Sequence, residues 1–238
     1  MRFLLIFFML GYCLAGNAQS QEFGFSVSYQ YLYAKEWNKA VQTYNFSRPF
    51  LTEKQPLLKH GIRLGAYYLF DTSKPFAWGP SVSISFHQSA ADNNNFNINI
   101  QSFLLDLGMK LQYRPKLGDT SPLHMGITPH LTGLGLYRKL DGDVIIIEDD
   151  EEEEMPVRAL GMGFGFNFQL GYDLNMGKSL IISPLFGMDY SPLVWSNRSD
   201  VVFNEASVGD LKSSTSMIRW QLGLLMRMKP QQKVYISP

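Results

Sequence analysis

The feature that most constrains this chain is a strict two-residue alternation across Arg158 to Asp173. The even positions Leu160, Met162, Phe164, Phe166, Phe168, Leu170 and Tyr172 are all large and apolar. The odd positions Ala159, Gly161, Gly163, Gly165, Asn167, Gln169, Gly171 and Asp173 are all small or polar. Successive side chains of a strand leave opposite faces, so the run predicts one long β-strand. At about sixteen residues it is far longer than the usual soluble strand of roughly five or six. A soluble barrel would turn its bulk inward and show water a charged face. Here the bulk is apolar and the opposite face is nearly stripped, which fits lipid outside and a narrow polar lumen inside.

The pattern recurs along the chain. Alternation predicts strands over Phe23–Tyr33, Leu58–Phe70, Trp78–Gln88, within Ile98–Arg114, and over Leu123–Arg138, Ser179–Tyr190 and Thr215–Lys229. The phase of Leu123–Arg138 becomes ambiguous near Gly133 and Gly135, where a bulge is expected. The intervening segments alternate long and short: Ala34–Leu57, Asp71–Ala77, Ser89–Asn97, Pro115–Pro122, Lys139–Val157, Asn175–Lys178 and Pro192–Ser214. The fold class this implies is all-β, an eight-stranded antiparallel up-and-down transmembrane β-barrel. Such barrels place short turns in the periplasm and longer loops outside. The expected location is the outer membrane of a Gram-negative-type cell, with both termini periplasmic and the long loops extracellular. Closure leaves no unpaired edge in lipid.

Lys and Arg number 21 and so do Asp and Glu, so no basic footprint points to nucleic acid. Met1–Ala18 reads as a secretory signal: Arg2, an apolar stretch over Phe3–Leu10, then small residues at Gly16 and Ala18. The barrel would then occupy residues 19–229 and a short tail 230–238. Cys13 is the single cysteine and follows Tyr12, where a lipoprotein signal needs a small residue. After cleavage no disulfide or thiol chemistry is left.

Over Gln19–Met228 the chain resembles the small outer-membrane barrels of the OmpA transmembrane-domain and OmpX type, and more closely the PorT-like outer membrane protein β-barrel domain family. The segment Gln221–Met228 is similar to the C-terminal assembly signal of such barrels, with polar Gln221, Gly223, and hydrophobic Met226 and Met228. It departs from the pattern in ending on Met, where an aromatic is usual, and in being followed by a tail. The resemblance implies outer-membrane lipid and the barrel-assembly machinery as partners.

Three groups of residues could carry chemistry. Arg63, Asp106, His130 and Arg219 fall near one level inside the barrel, with Lys110 as a further pairing partner for Asp106. Unpaired charges in a closed lumen are costly, so they read as a salt-bridged core that plugs it. The alternative is an ion-conducting constriction. The second group is the acidic run Glu148, Asp149, Asp150, Glu151, Glu152, Glu153 and Glu154 in the third long loop. It reads as a solvated tip, or as a contact for divalent cations or a basic partner. The third, His87-Gln88-Ser89 with Asp92 nearby, resembles the H-x-S pair of outer-membrane lipid A deacylases; the plain reading is a rim His and a loop Ser. His60, His124 and His130 lack zinc spacing, and Gly161, Gly163 and Gly165 are lumen packing rather than a phosphate loop. No cofactor is implied. The expected role is structural or binding, displaying loops or docking on another envelope protein, with a rim enzyme or a narrow pore as alternatives.

Overall fold

Alternation becomes extended backbone wherever one face meets lipid and the other meets the lumen. In the computed structural model the described residues are 21–47, 54, 57–70, 72, 74–93, 96–115, 122–142, 157–176, 180–195 and 214–228. In chain order they form β1 (Gln21–Ala34), α1 (Lys35–Ser47), β2 (His60–Phe70), β3 (Phe76–Asn93), β4 (Phe96–Tyr113), β5 (Leu123–Gly142), β6 (Val157–Tyr172), β7 (Leu174–Asn175), β8 (Leu180–Trp195) and β9 (Ser214–Met228). Every pairing is antiparallel between chain neighbours, except that β1 also pairs with β9 and β6 with β8, so the sheet closes. The two-residue β7 continues β6 past Asp173, which leaves eight spanning strands.

The register fixes the shape. A path from Gln21 through Phe70, Trp78, Leu111, Ile127, Phe168, Met188 and Trp220 returns to β1 at Tyr31, ten residues further on. Eight strands with that stagger tilt by roughly 40° from the barrel axis. The outward row of β6 is exposed as expected, Phe166 at 41% and Met162 at 71%. Aromatic rings gather at the end that carries the termini and short turns: Phe70 lies 5.0 Å from Trp78, and Phe76 lies 4.6 Å from Tyr113. At the opposite end Tyr29 and Tyr31 close on His60, with centroids at 5.9 and 5.7 Å. These are the interfacial belts of a membrane barrel. Among the described residues no helix is long and apolar enough to cross a membrane, and the strands do the crossing.

Three expectations are corrected. Lys35–Ser47 is a helix, not loop. Trp37 and Val41, four residues apart, bury one face over the long-loop mouth, while Glu36 in the first turn suits the positive end of the helix. The Ser89–Asn97 segment is not a loop either: β3 and β4 stay paired to Asn93↔Phe96, so only residues 94–95 connect them. The strict alternation lapses there because lipid no longer demands it. Finally, Gly133 and Gly135 carry no bulge, for the registers of β5 with β4 and with β6 run unbroken through them. The ambiguous phase came from Leu134, an apolar residue that faces inward. The expected signal peptide, the acidic run and the expected C-terminal tail lie outside the described residues.

Lipid contact can be tested on β6. Phe166→Arg should cost about 2–4 kcal/mol and Tyr172→Arg, at the strand end, about 0–1 kcal/mol. Denaturant unfolding in lipid vesicles measures both; equal costs would contradict a membrane-spanning exterior.

Candidate functional site

The inward parity of five strands converges on one charged layer. It brings together Arg63 (β2), Asp106 (β4), His130 (β5), Asp189 (β8) and Arg219 (β9), all at most 6% exposed. Arg219 binds both acids: Nη2 lies 2.6 Å from Asp189 Oδ1, and Nη1 lies 3.1 Å from Asp106 Oδ2. Arg63 does the same, at 3.3 Å to Asp106 and 3.3 Å to Asp189. Remaining lone pairs are filled by hydroxyls and an amide. Thr132 donates to Asp106 at 2.8 Å, Ser191 to Asp189 at 2.8 Å, and Asn167 to Asp189 at 3.2 Å. His130 sets Nδ1 at 3.0 Å from the Thr128 carbonyl, where it donates, and Nε2 at 3.2 Å from Ser191 Oγ. Asp106, His130 and Asp189 could present metal-ligand atoms within 4.8 Å of one another. Two guanidiniums already satisfy those carboxylates, so the layer is an ion-pair tie.

Four of the five lumen residues singled out from sequence therefore meet, and Lys110 does not. It lies two inward positions nearer the termini than Asp106 on β4, donates to Gln169 Oε1 at 2.7 Å and sits 4.2 Å over the Tyr67 ring. Sequence reasoning missed Asp189. The signal was available: Met188 and Tyr190 point outward, and Arg63 and Arg219 needed a second acid beside Asp106.

A second ionic group, also missed, lies at the terminal end. Glu22 accepts from Arg114 Nη2 at 2.6 Å, from Arg227 at 3.4 Å and from the Tyr67 hydroxyl at 3.2 Å. Arg227 also pairs directly with Asp173, which His124 Nδ1 reaches at 2.8 Å. On the long-loop side of the charged layer Leu32, Leu104, Leu134, Leu193 and Met217 are buried alongside the polar His87, Ser102 and Thr215, and Leu32, Leu134 and Met217 line one small space with Trp37 of α1. His87 faces inward, buried, with Ser102 Oγ 3.4 Å from Nδ1, and no carboxylate among the described residues hydrogen-bonds it. Its described hydrogen-bond partner is thus Ser102 on β4, not Ser89 of the H-x-S pattern. In the C-terminal segment Gln221 faces inward and is buried, Gly223 shares its parity, and Met226 and Met228 point outward.

Inward glycines make this filling possible. A Cβ on Gly165 would lie 2.6 Å from His130 Nε2 and 2.5 Å from Ser191 Oγ. Gly24 opposite Tyr67, Gly61 opposite His87 and Gly171 opposite His124 repeat the arrangement across register pairs.

No protein family matches the chain, and no curated protein matches it. Among solved structures it is similar to Neisserial surface protein A, with TM-score 0.45 and 10% identity over 90% of this chain and 99% of that one. It is similar to Ail of Yersinia pestis, in complex with a heparin analogue, with TM-score 0.44 and 10% identity over 87% and 97%. A major outer membrane protein of Thermus thermophilus gives TM-score 0.43 and 11% identity over 87% and 98%. The class follows from this chain's own geometry. A closed eight-stranded barrel with an apolar exterior and a charged, filled lumen is an outer-membrane β-barrel.

The lumen can be tested by charge and by volume. Asp106→Ala leaves guanidinium charge uncompensated and should destabilise by about 3–5 kcal/mol, while Glu152→Ala in the acidic loop should change stability by about 0–1 kcal/mol at most. Equal small effects in equilibrium unfolding would refute the tie. Gly165→Ala should cost about 1–3 kcal/mol through overpacking. Gly133→Ala, whose Cβ would meet only Leu105 O at 4.0 Å, serves as the near-neutral control.

Proposed function

We propose that this barrel is a plugged scaffold that acts through its long-loop end, as a binding or structural protein of the envelope. The observation that carries this reading is the tie of Arg63 and Arg219 to Asp106 and Asp189 across the lumen. A hydrated ion passing that layer would have to break charge-assisted bonds and then pass the buried side chains of Leu32, Leu104, Leu134, Leu193 and Met217, so conduction is disfavoured. Chemistry at the rim is disfavoured too, since His87 is turned inward and bound to Ser102.

In this reading the long loops face outside the cell and both termini lie in the periplasm. The assembly machinery takes the segment bearing Gln221, Gly223, Met226 and Met228 during biogenesis. Helix α1 and the ends of β5 and β8 at Gly142 and Trp195 border the binding surface. The acidic run Glu148–Glu154 supplies seven of the chain's 21 carboxylates. Residues 19–238 hold 20 Lys and Arg, and removing those seven acids leaves 14 Asp and Glu, a net of six positive charges. So one-sided a segment draws divalent cations or a basic protein surface, the chemistry expected of its partner.

Two measurements test this. Reconstituted in planar bilayers, the wild-type barrel should show no sustained unitary currents; stable ion-selective steps would restore the pore. Replacing Glu148 to Glu154 with Ser and Gln should leave insertion intact but abolish protection of this loop from protease by Ca²⁺ or a cationic partner. If wild type and the neutralised variant are cleaved alike with and without cations, the acidic run is a solvated tip.

A further inference from the structure

The polar interior is not evenly balanced. Among the described residues, the charged layer and the terminal ionic group together hold five cations, Arg63, Lys110, Arg114, Arg219 and Arg227, against four anions, Glu22, Asp106, Asp173 and Asp189. The difference, five minus four, is one positive charge. Each of the four acids is engaged by at least one arginine. Lys110 is the cation left over: it is 3% exposed, and its described polar partner is the neutral Gln169. Beside it, between the two ionic groups, lies a cavity of about 30 Å³ whose lining includes Ser26, Ser81, Thr128, Asn167 and Gln169. Asp106 and Arg63 border it as well, but they neutralise each other.

A buried ammonium without a counter-charge is costly. The Lys110 ammonium and the Ser81 and Thr128 hydroxyls around one space form a donor set for an anion, while the Ser26 hydroxyl donates to the Gly65 carbonyl. Since a water-sized species needs roughly 10–15 Å³ by this measure, the cavity takes about two. That admits a monatomic anion with one water and excludes phosphate, sulfate or a carboxylate ligand. We infer that the lumen holds a structural halide, chloride under ordinary salt, bound by Lys110 and the neighbouring hydroxyls. The anion balances the charge of these nine residues and stabilises the folded state by linkage.

The test uses the full-length mature protein in detergent. At constant ionic strength the thermal unfolding midpoint of wild type should rise as chloride replaces gluconate, whereas Lys110→Met should show no such dependence. Crystals grown in bromide should give one lumenal anomalous peak at hydrogen-bonding distance from Lys110 Nζ. Identical wild-type midpoints in chloride and gluconate would overturn the inference, as would bromide crystals without that peak. An unchanged halide dependence in Lys110→Met would overturn it too. If that variant fails to fold, the wild-type bromide peak and midpoints decide.

Discussion

The pairing of β1 with β9, from Gly24↔Arg227 to Ala34↔Met217, turns an open sheet into a closed one, and the other constraints on the molecule descend from that closure. In hydrocarbon an unpaired strand edge would leave a row of peptide groups without partners, each costing several kcal/mol. Closure with a ten-residue stagger also fixes the bore, roughly 16 Å between opposite backbones. Inward side chains must fill that bore without colliding. The solution is pairwise: where one strand sends in His130, His124, His87 or Tyr67, the register neighbour is Gly165, Gly171, Gly61 or Gly24. The glycine content of the inner face is thus a matter of space rather than flexibility.

Lipid alone cannot choose the register. Sliding a strand by two residues moves one apolar side chain into the place of another, and the hydrocarbon is indifferent. A slip of one residue would be punished by charges in lipid, but a slip of two would not. The lumen removes that degeneracy. Arg219 reaches Asp106 across the bore and Asp189 on the adjacent strand, and Arg63 reaches the same two acids from β2. A two-residue slip of any of these strands would strand a guanidinium or a carboxylate where nothing can solvate it. Buried ion pairs are poor sources of net stability but strict judges of alternatives, and setting register is the use that fits them here.

This division of labour explains what could be read from the chain. The outer face was legible throughout the membrane, because lipid demands one residue class at every second position; Leu160 to Tyr172 needed no neighbour to interpret. Arg63, Asp106, His130 and Arg219 were legible as a level because parity and strand midpoints place them there. Asp189 was hidden in the same strand logic and needed the charge count to find it. Outside the lipid the rule loses its force. Helix α1 follows a period of 3.6 set by Trp37 and Val41, and the β3–β4 hairpin persists to Asn93↔Phe96 without strict alternation. The terminal ionic group was obscured for a different reason: Arg114 and Asp173 sit just past strand ends, where parity says little about direction.

The change in lumen chemistry along the axis ties these points together. A uniformly polar bore would suit a barrel whose only task was to close. Here Leu104 and Met217 stand one inward position beyond Asp106 and Arg219 on the long-loop side, Leu134 and Leu193 stand two beyond His130 and Asp189, and all are buried. Their inward parity would be an error for a water-filled channel. It is the correct pattern for a seat, since Trp37 and Val41 of α1 need apolar atoms to bury against. The lumen therefore behaves as two cores stacked on one axis: a charged one that fixes how the strands align, and above it one in which those apolar side chains lie beside buried His87 and Ser102 and hold a helix across the mouth. The second core follows from the register set by the first, because a two-residue slip would carry those four side chains out of level with one another.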